Sequence, residues 1–366
     1  MRRLIVVVVL AMAFAACAPD ATTETTAAPT ETTAPDTTAA PTTEAPTDTE
    51  PPAELTQVVV ASLPNAFLAP LYVARDDGIF AEEGLEVEIV ELESGLESVA
   101  AVVSGNAQYG DIGFEDLVAL SSEGEESLVM LHNLVNRVTL TLVMRAEVAE
   151  QLGVSRESPL EERFAALEGL TLGVTSPGAA TDNYMRYYLR RAGLDPDQDA
   201  SIVAIGGGAA LLAALEEGQI DAYQLSPPTP FIAENEGFGV ILINGPEGDV
   251  PELADFVYTG FAGNREWATA NPEAAQAFSR SLRRAWEKVA ADPEGVAEQI
   301  LDDLGADDLA IVQETLAALV PALAETGCFT EEAVADSLAT MTDAGIIEVE
   351  ASAAEGVLWT NDYNDC

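Results

Sequence analysis

The sequence predicts an α/β protein of two lobes, each built around its own mainly parallel sheet. Three observations predict it. Residues 55–145 alternate β-branched runs with helix-length segments, the pattern of strands joined by right-handed helical crossovers. Residues 146–255 repeat the alternation. Residues 256–260 then read as a return strand, and the chain after residue 266 is helical with no sheet of its own. Residues 256–366 are therefore expected to return to the first lobe, with the C-terminal helices packed on it.

The front of the chain is different. Arg2 and Arg3 precede an apolar run over residues 4–13, too short to span a bilayer. Residues 1–16 thus read as a signal peptide. Phe14-Ala15-Ala16-Cys17 resembles a bacterial lipobox, with Phe14 in place of the usual aliphatic residue. On that resemblance Cys17 becomes a lipidated N-terminus; conventional cleavage and release is the alternative. Residues 18–54 hold Thr, Pro, Ala, Glu and Asp and almost nothing larger that is apolar. Such a segment cannot bury enough surface to offset its ordering entropy, so residues 17–54 read as an anchor and a disordered tether. The folded part is expected outside the cell membrane and close to it.

The elements follow in order. Thr56–Ser62 is β-branched and reads as a strand. Residues 67–76 make a helix ended near Gly78. Residues 85–92 alternate apolar with acidic side chains, which suits a strand near a sheet edge. Ser94 and Glu97 have capping-box spacing ahead of a helix through Ser104. Residues 107–112 and 128–131 read as strands around a helix at 115–122, and 138–144 as another β-rich run. A helix at 160–167 leads to Leu170–Arg191, a strand followed by a well-marked turn. There Ser176 suits an N-cap, Pro177 the first helical position, and Gly178 and Ala179 leave the first amides bare. Such a terminus presents N–H groups to an anion or a ring carbonyl; an ordinary strand-to-helix turn is the alternative. Strands at 202–205, 221–224 and 240–243 and helices at 209–217 and 230–236 complete the second lobe. Four helices, at 272–290, 294–304, 307–324 and 331–344, end the chain.

Charge and residue counts exclude several functions. The net charge is −48, from 15 basic and 63 acidic residues, which argues against nucleic acid or an anionic lipid surface as partner. Lys288 is the only lysine and His132 the only histidine, so a histidine-based triad would have to use His132, around which no motif stands. Phosphate-binding glycine motifs are absent. Asp195, Asp197 and Asp199 begin like a calcium loop, but Ala200 and Gly206 stand where that loop needs glycine and glutamate. No metal or other cofactor is expected. Beyond Cys17 the chain holds Cys328 and Cys366, and in an oxidising compartment these are expected to pair; two free thiols are the alternative.

Several segments together resemble a known family. Pro70-Leu71-Tyr72-Val73-Ala74-Arg75-Asp76-Asp77-Gly78-Ile79-Phe80, Gly105-Asn106-Ala107-Gln108-Tyr109-Gly110-Asp111, Leu167-Glu168-Gly169-Leu170-Thr171-Leu172-Gly173-Val174, Ala192-Gly193-Leu194-Asp195-Pro196 and Gln219-Ile220-Asp221-Ala222 occur in order. The set is similar to extracytoplasmic solute-binding proteins of the nitrate/sulfonate/taurine (NitT/TauT) and pyrimidine-precursor class of ABC transporters. The resemblance implies a type II periplasmic-binding-protein-like fold, two α/β lobes with a hinge and a ligand cleft. It implies a monomer that captures a small solute and hands it to an ABC permease and its ATPase, with no catalytic role. The solute is a sulfonate, a nitrate-like anion or a small heterocycle. A ligand-sensing module is the alternative, and an exported enzyme of the pyrimidine-precursor synthase type a further one; that enzyme would need a reactive lysine and histidines.

In open α/β sheets ligands sit beyond the carboxyl ends of strands, so the turns there supply the candidate contacts. In the first lobe these are Asn65, Phe67, Ser94 and Gly95, then Gly113, Phe114 and Glu115, then Asn133, Asn136 and Arg137. In the second they are Ser176, Gly178, Ala179 and Thr181, then Gly207, then Ser226 and Pro227. Arg137 would clamp an anion, whereas Phe67, Phe114 and Tyr258 would enclose a flat heterocycle.

Overall fold

The computed structural model describes residues 55–366. The expected signal peptide, Cys17 anchor and tether lie outside the described residues. In chain order the strands are β1 (Thr56–Ser62), β2 (Leu85–Glu91), β3 (Tyr109–Gly113), β4 (Leu128–Val135), β5 (Thr141–Arg145), β6 (Thr171–Val174), β7 (Ser201–Ala204), β8 (Ala222–Leu225), β9 (Gly239–Ile243) and β10 (Thr259–Asn264). They form two five-stranded sheets, ordered β2-β1-β3-β10-β4 and β7-β6-β8-β5-β9. In the first, β1 runs parallel to β2 and β3, while β10 runs antiparallel to β3 and β4. In the second, β6 runs parallel to β7 and β8, while β5 runs antiparallel to β8 and β9. The two orders coincide once β5 is matched with β10. Each sheet thus takes one antiparallel strand, second from its edge, from the part of the chain that has just crossed between lobes.

β5 belongs to the second sheet, although the sequence boundary at 145/146 left it in the first. The β-rich run itself carries no sign of which sheet it joins, because the partners that decide lie some eighty or more residues downstream, as with Thr141 and Leu225. The crossing therefore falls between Val135 and Thr141.

Local physics accounts for most elements. β4 is buried along its whole length, as its apolar composition requires. β2 keeps only Leu85 fully buried and points its glutamates outward, as an edge strand should. Ser94 caps the helix Gly95–Val103 by accepting from the Glu97 amide. The Glu97 carboxylate reaches the amide of Glu93 at 2.9 Å, one residue earlier than a standard capping box. The long helix Pro272–Ala291 lays Phe278 against Tyr109, Phe80 and Phe261, with ring centroids 4.1, 5.4 and 5.4 Å apart. Each such pair is worth roughly 0.5–1.5 kcal/mol beyond its buried area. The helix Leu309–Leu319 puts Val312 and Leu316 into this main core and Ile311 into a second cluster with Leu211, Leu215 and Ile241. It thereby touches both lobes.

The C-terminal tail covers the exposed edge of β4. The Met130 amide donates to Leu358 and the Thr360 amide to Met130, at 2.9 and 3.1 Å. Cys328 and Cys366, their Cα atoms 6.0 Å apart, join sulfurs and hold the tail end. No helix among the described residues is long and apolar enough to cross a membrane.

Candidate functional site

The carboxyl end of β3 faces those of β6 and β8 across a closed cleft. A cavity of about 60 Å³ lies between them. Asn65, Phe67, Gly95 and Gly113 line it from the first lobe, Thr181 and Ser226 from the second, and Tyr258 from the chain ahead of β10. Wider openings of about 340 and 440 Å³ adjoin it on either side. Glu115 and Gly178 line the first opening and Gly207 the second. These ten expected residues thus meet in or beside one cleft.

Hydrogen bonds tie the lobes beside it. The Gly207 amide donates to Glu93 Oε2 at 2.9 Å. The Ala66 amide donates to the Pro227 carbonyl at 3.5 Å, which places Pro227 on the seam rather than on the cavity wall. The Pro227–Pro228 peptide is cis.

The remaining expected contacts stand elsewhere. Ser94 is a helix cap, and Phe114 and Ala179 are buried in packing. Asn133 donates to Asn136 at 2.6 Å, and both line a separate groove beside Cys328 and Phe329. Arg137 spends its guanidinium on the Pro246 and Ala254 carbonyls, at 2.7 and 3.1 Å. It sits in the crossing between β4 and β5 and binds the second lobe's own loop. It is no clamp on the cavity.

The turn after β6 also differs from its reading. The helix begins at Ala180, with Ala179 as a cap position lacking a side-chain bond. Gly178 at φ +80° turns the chain and delays the helix by three residues. Ser176 therefore caps nothing, and its hydroxyl is buried without a partner. Side chains from inside the helix close the turn instead. Thr181 Oγ1 accepts from the Thr175 amide at 3.0 Å, and Asp182 Oδ2 accepts from the Gly178 amide at 2.8 Å. The terminus is thus less bare than the sequence implies, and a carboxylate already occupies one of its amides.

Three buried carboxyls make the first-lobe wall, and of these the sequence pointed to Glu115 but not to Asp111 or Asp116. Asp111 and Asp116 line the cavity, and Glu115 and Asp116 line the adjoining opening. All three are almost wholly buried, at 6, 5 and 1% exposure. Asp111 accepts from Thr259 Oγ1 at 2.6 Å. Burial nevertheless pushes its carboxyl up to about 7. Burial, with the charge of Asp111, pushes Asp116 to about 7 as well. Glu115 rises well above the usual carboxylate range through burial and the neighbouring Asp116. Both Glu115 oxygens lack a partner. The signal was present but ambiguous: Asp111 is a lone acid in a short buried strand, and Glu115-Asp116 resembles the ordinary acidic first turn of a helix.

Lys288 and His132, the residues an enzyme of the related synthase type would need, do not line this site. Lys288 pairs with Asp77 at 2.6 Å on the surface. His132 is buried on β4 beside Asn364, and burial pushes it down to about 4. Among the described residues no group of His, Cys, Asp and Glu is arranged to hold a metal ion.

Residues 51–300 match the model of the NMT1-like family. The chain is 25% identical over 253 residues to the nitrate/nitrite binding protein NrtA of Nostoc, covering 63% of this chain and 53% of that one. It therefore spans about half the length of that relative. It is 26% identical over 264 residues to the formylaminopyrimidine-binding protein of Halalkalibacterium halodurans, covering 71% and 74%. Its fold matches that of the alkanesulfonate-binding protein SsuA from Xanthomonas axonopodis with a TM-score of 0.64 at 19% identity, over 81% of this chain and 96% of that one.

Proposed function

Because this chain belongs to the NMT1-like family, we propose that it is the solute-binding component of an ABC importer, closing two lobes around one small solute. The observation that carries the reading is the cavity between the carboxyl ends of β3 on one lobe and β6 and β8 on the other. That is where open α/β sheets place ligands, and a hinge between lobes gives capture and release. Relatives that bind nitrate or a formylaminopyrimidine support the solute-binding part. A permease and its ATPase are the partners this role requires. A pyrimidine-precursor synthase reading loses support because Lys288 and His132 both stand away from the cavity.

The proposal extends to location. Cys17 carries the lipid, and residues 18–54 let the folded part reach a permease from the outer face of the membrane. The pair Cys328–Cys366 fits that oxidising side.

Isothermal calorimetry and small-angle scattering on the full chain in detergent test the binding role. One small solute should bind at one site per chain and reduce the radius of gyration. Fractionation of cells carrying Cys17→Ser tests the anchor: the variant should leave the membrane fraction, and its retention there would count against lipidation.

A further inference from the structure

We infer that the solute of this cleft is a small, positively charged organic nitrogen base, an amine or amidine, held through its N–H groups by Asn65, Asp111 and Asp116. The inference rests on the solute-binding reading above and adds the charge and donor pattern of the solute.

The first observation is what the cleft lacks. Among the described residues no arginine, lysine or histidine lines the cavity or either opening. Glu115, Glu123 and Glu348 line one opening, and Glu91, Glu93, Asp302 and Asp303 the other. Arg75, the basic group that approaches the second opening, is held by Asp303 through two bonds of 2.8 Å. Arg137 is bound to carbonyls elsewhere. An anion entering here would meet carboxylates along its path and carboxylates at its end.

The second observation separates this wall from the acidic surface in general. A surface carboxylate keeps its water, and a net charge of −48 needs no further explanation there. Asp111, Glu115 and Asp116 have given up theirs. Burying an ionised acid without a cationic partner is unfavourable, and three ionised together would repel one another. Asp111 has one donor, Thr259, and Glu115 has none, so a cationic occupant would supply donors that this wall lacks.

The third observation is independent of the acids. Asn65 lines the cavity, is 5% exposed, and its Oδ1 accepts no hydrogen bond. A buried amide oxygen without a donor calls for one. Asn65 stands after β1, and the carboxylates stand on and after β3, so polar side chains from two elements of the first lobe line the cavity. Phe67 and Tyr258 supply aromatic surface on the same wall, which favours a cation over an anion.

The test uses the full chain in detergent, freed of carried-over solute by dialysis. Methylammonium, acetamidinium and methylguanidinium are titrated by calorimetry, beside nitrate, bicarbonate and methanesulfonate. At least one cation should bind, the anions should not, and Asp116→Asn should weaken the cation at least tenfold. Cation binding should also tighten by about tenfold between pH 6 and pH 8 as a proton leaves the carboxylate wall. The groups facing that wall from other elements, Tyr72, Tyr184 and Tyr258, stay neutral in this range because burial and the nearby acids raise them all. Binding of an anion, tightened by Asp116→Asn, would overturn the inference and leave the solute-binding reading standing. Binding of neither set, with no change in scattering, would overturn both.

Discussion

At the scale of single residues, Asp111 and Asp116 make the ligand-free protein sensitive to pH. Their folded values near 7 lie above the ordinary value of 3.8. Between those limits the native state holds protons that the unfolded chain has released. The stabilisation is complete below about pH 4 and is lost as pH rises through about 7. The melting temperature of the empty protein should therefore fall between pH 5 and pH 8. Asp116→Asn should raise it at pH 8 and flatten the profile, as read by differential scanning fluorimetry; an unchanged profile would place the titration elsewhere. Thr181 is the other decisive residue. Its hydroxyl accepts from the Thr175 amide and meets the Thr175 hydroxyl at 2.8 Å, both buried. Thr181→Val should cost about 1–3 kcal/mol in urea unfolding by orphaning that amide. Neither role was legible beforehand. An acid in a strand shows its burial only when the opposite lobe is in place. Ser176 had every local mark of a cap, yet Gly178 at positive φ moved the helix start past it.

At the scale of elements, the legible features were those set by neighbours in sequence. The strand Thr56–Ser62 stands where its β-branched run predicts, and Gly78 ends its helix with φ +72°. Crossing elements were not legible, because β5 and Arg137 take their meaning from partners far along the chain. Two of these distant contacts carry predictions. Glu93 and Gly207 join the segment after β2 to the helix Gly208–Glu216. Glu93→Ala should increase the radius of gyration of the empty protein and weaken solute binding a few-fold, because one exposed-side hydrogen bond is worth about 1 kcal/mol. The link from Cys328 to Cys366 closes a separation of 38 residues. Cys328→Ser with Cys366→Ser should lower stability by about 4 kcal/mol in the chain-entropy model. Hydrogen exchange at the amides of Met130 and Thr360, which tie the tail to β4, should accelerate in that double variant.

At the scale of the whole molecule, the net charge of −48 is a self-repulsion that mobile ions relieve. Raising sodium chloride from 50 mM to 1 M should raise the melting temperature, and glucose at matched osmolarity should not reproduce the gain in full. The two-lobe plan was legible because two strand–helix alternations and a return strand leave few arrangements open. The polarity of the cleft was not. A chain with 63 acids offers many candidates, and only the fold shows which of them lose their water.

The exchange of antiparallel strands also sets an order of assembly. All five strands of the second sheet lie within residues 141–243, so that sheet has all its strands once β9 is made. The first sheet begins at residue 56 but lacks β10, which stands between β3 and β4, until residues 259–264 are made. The part synthesised first is thus finished last, its middle gap open while the second lobe folds.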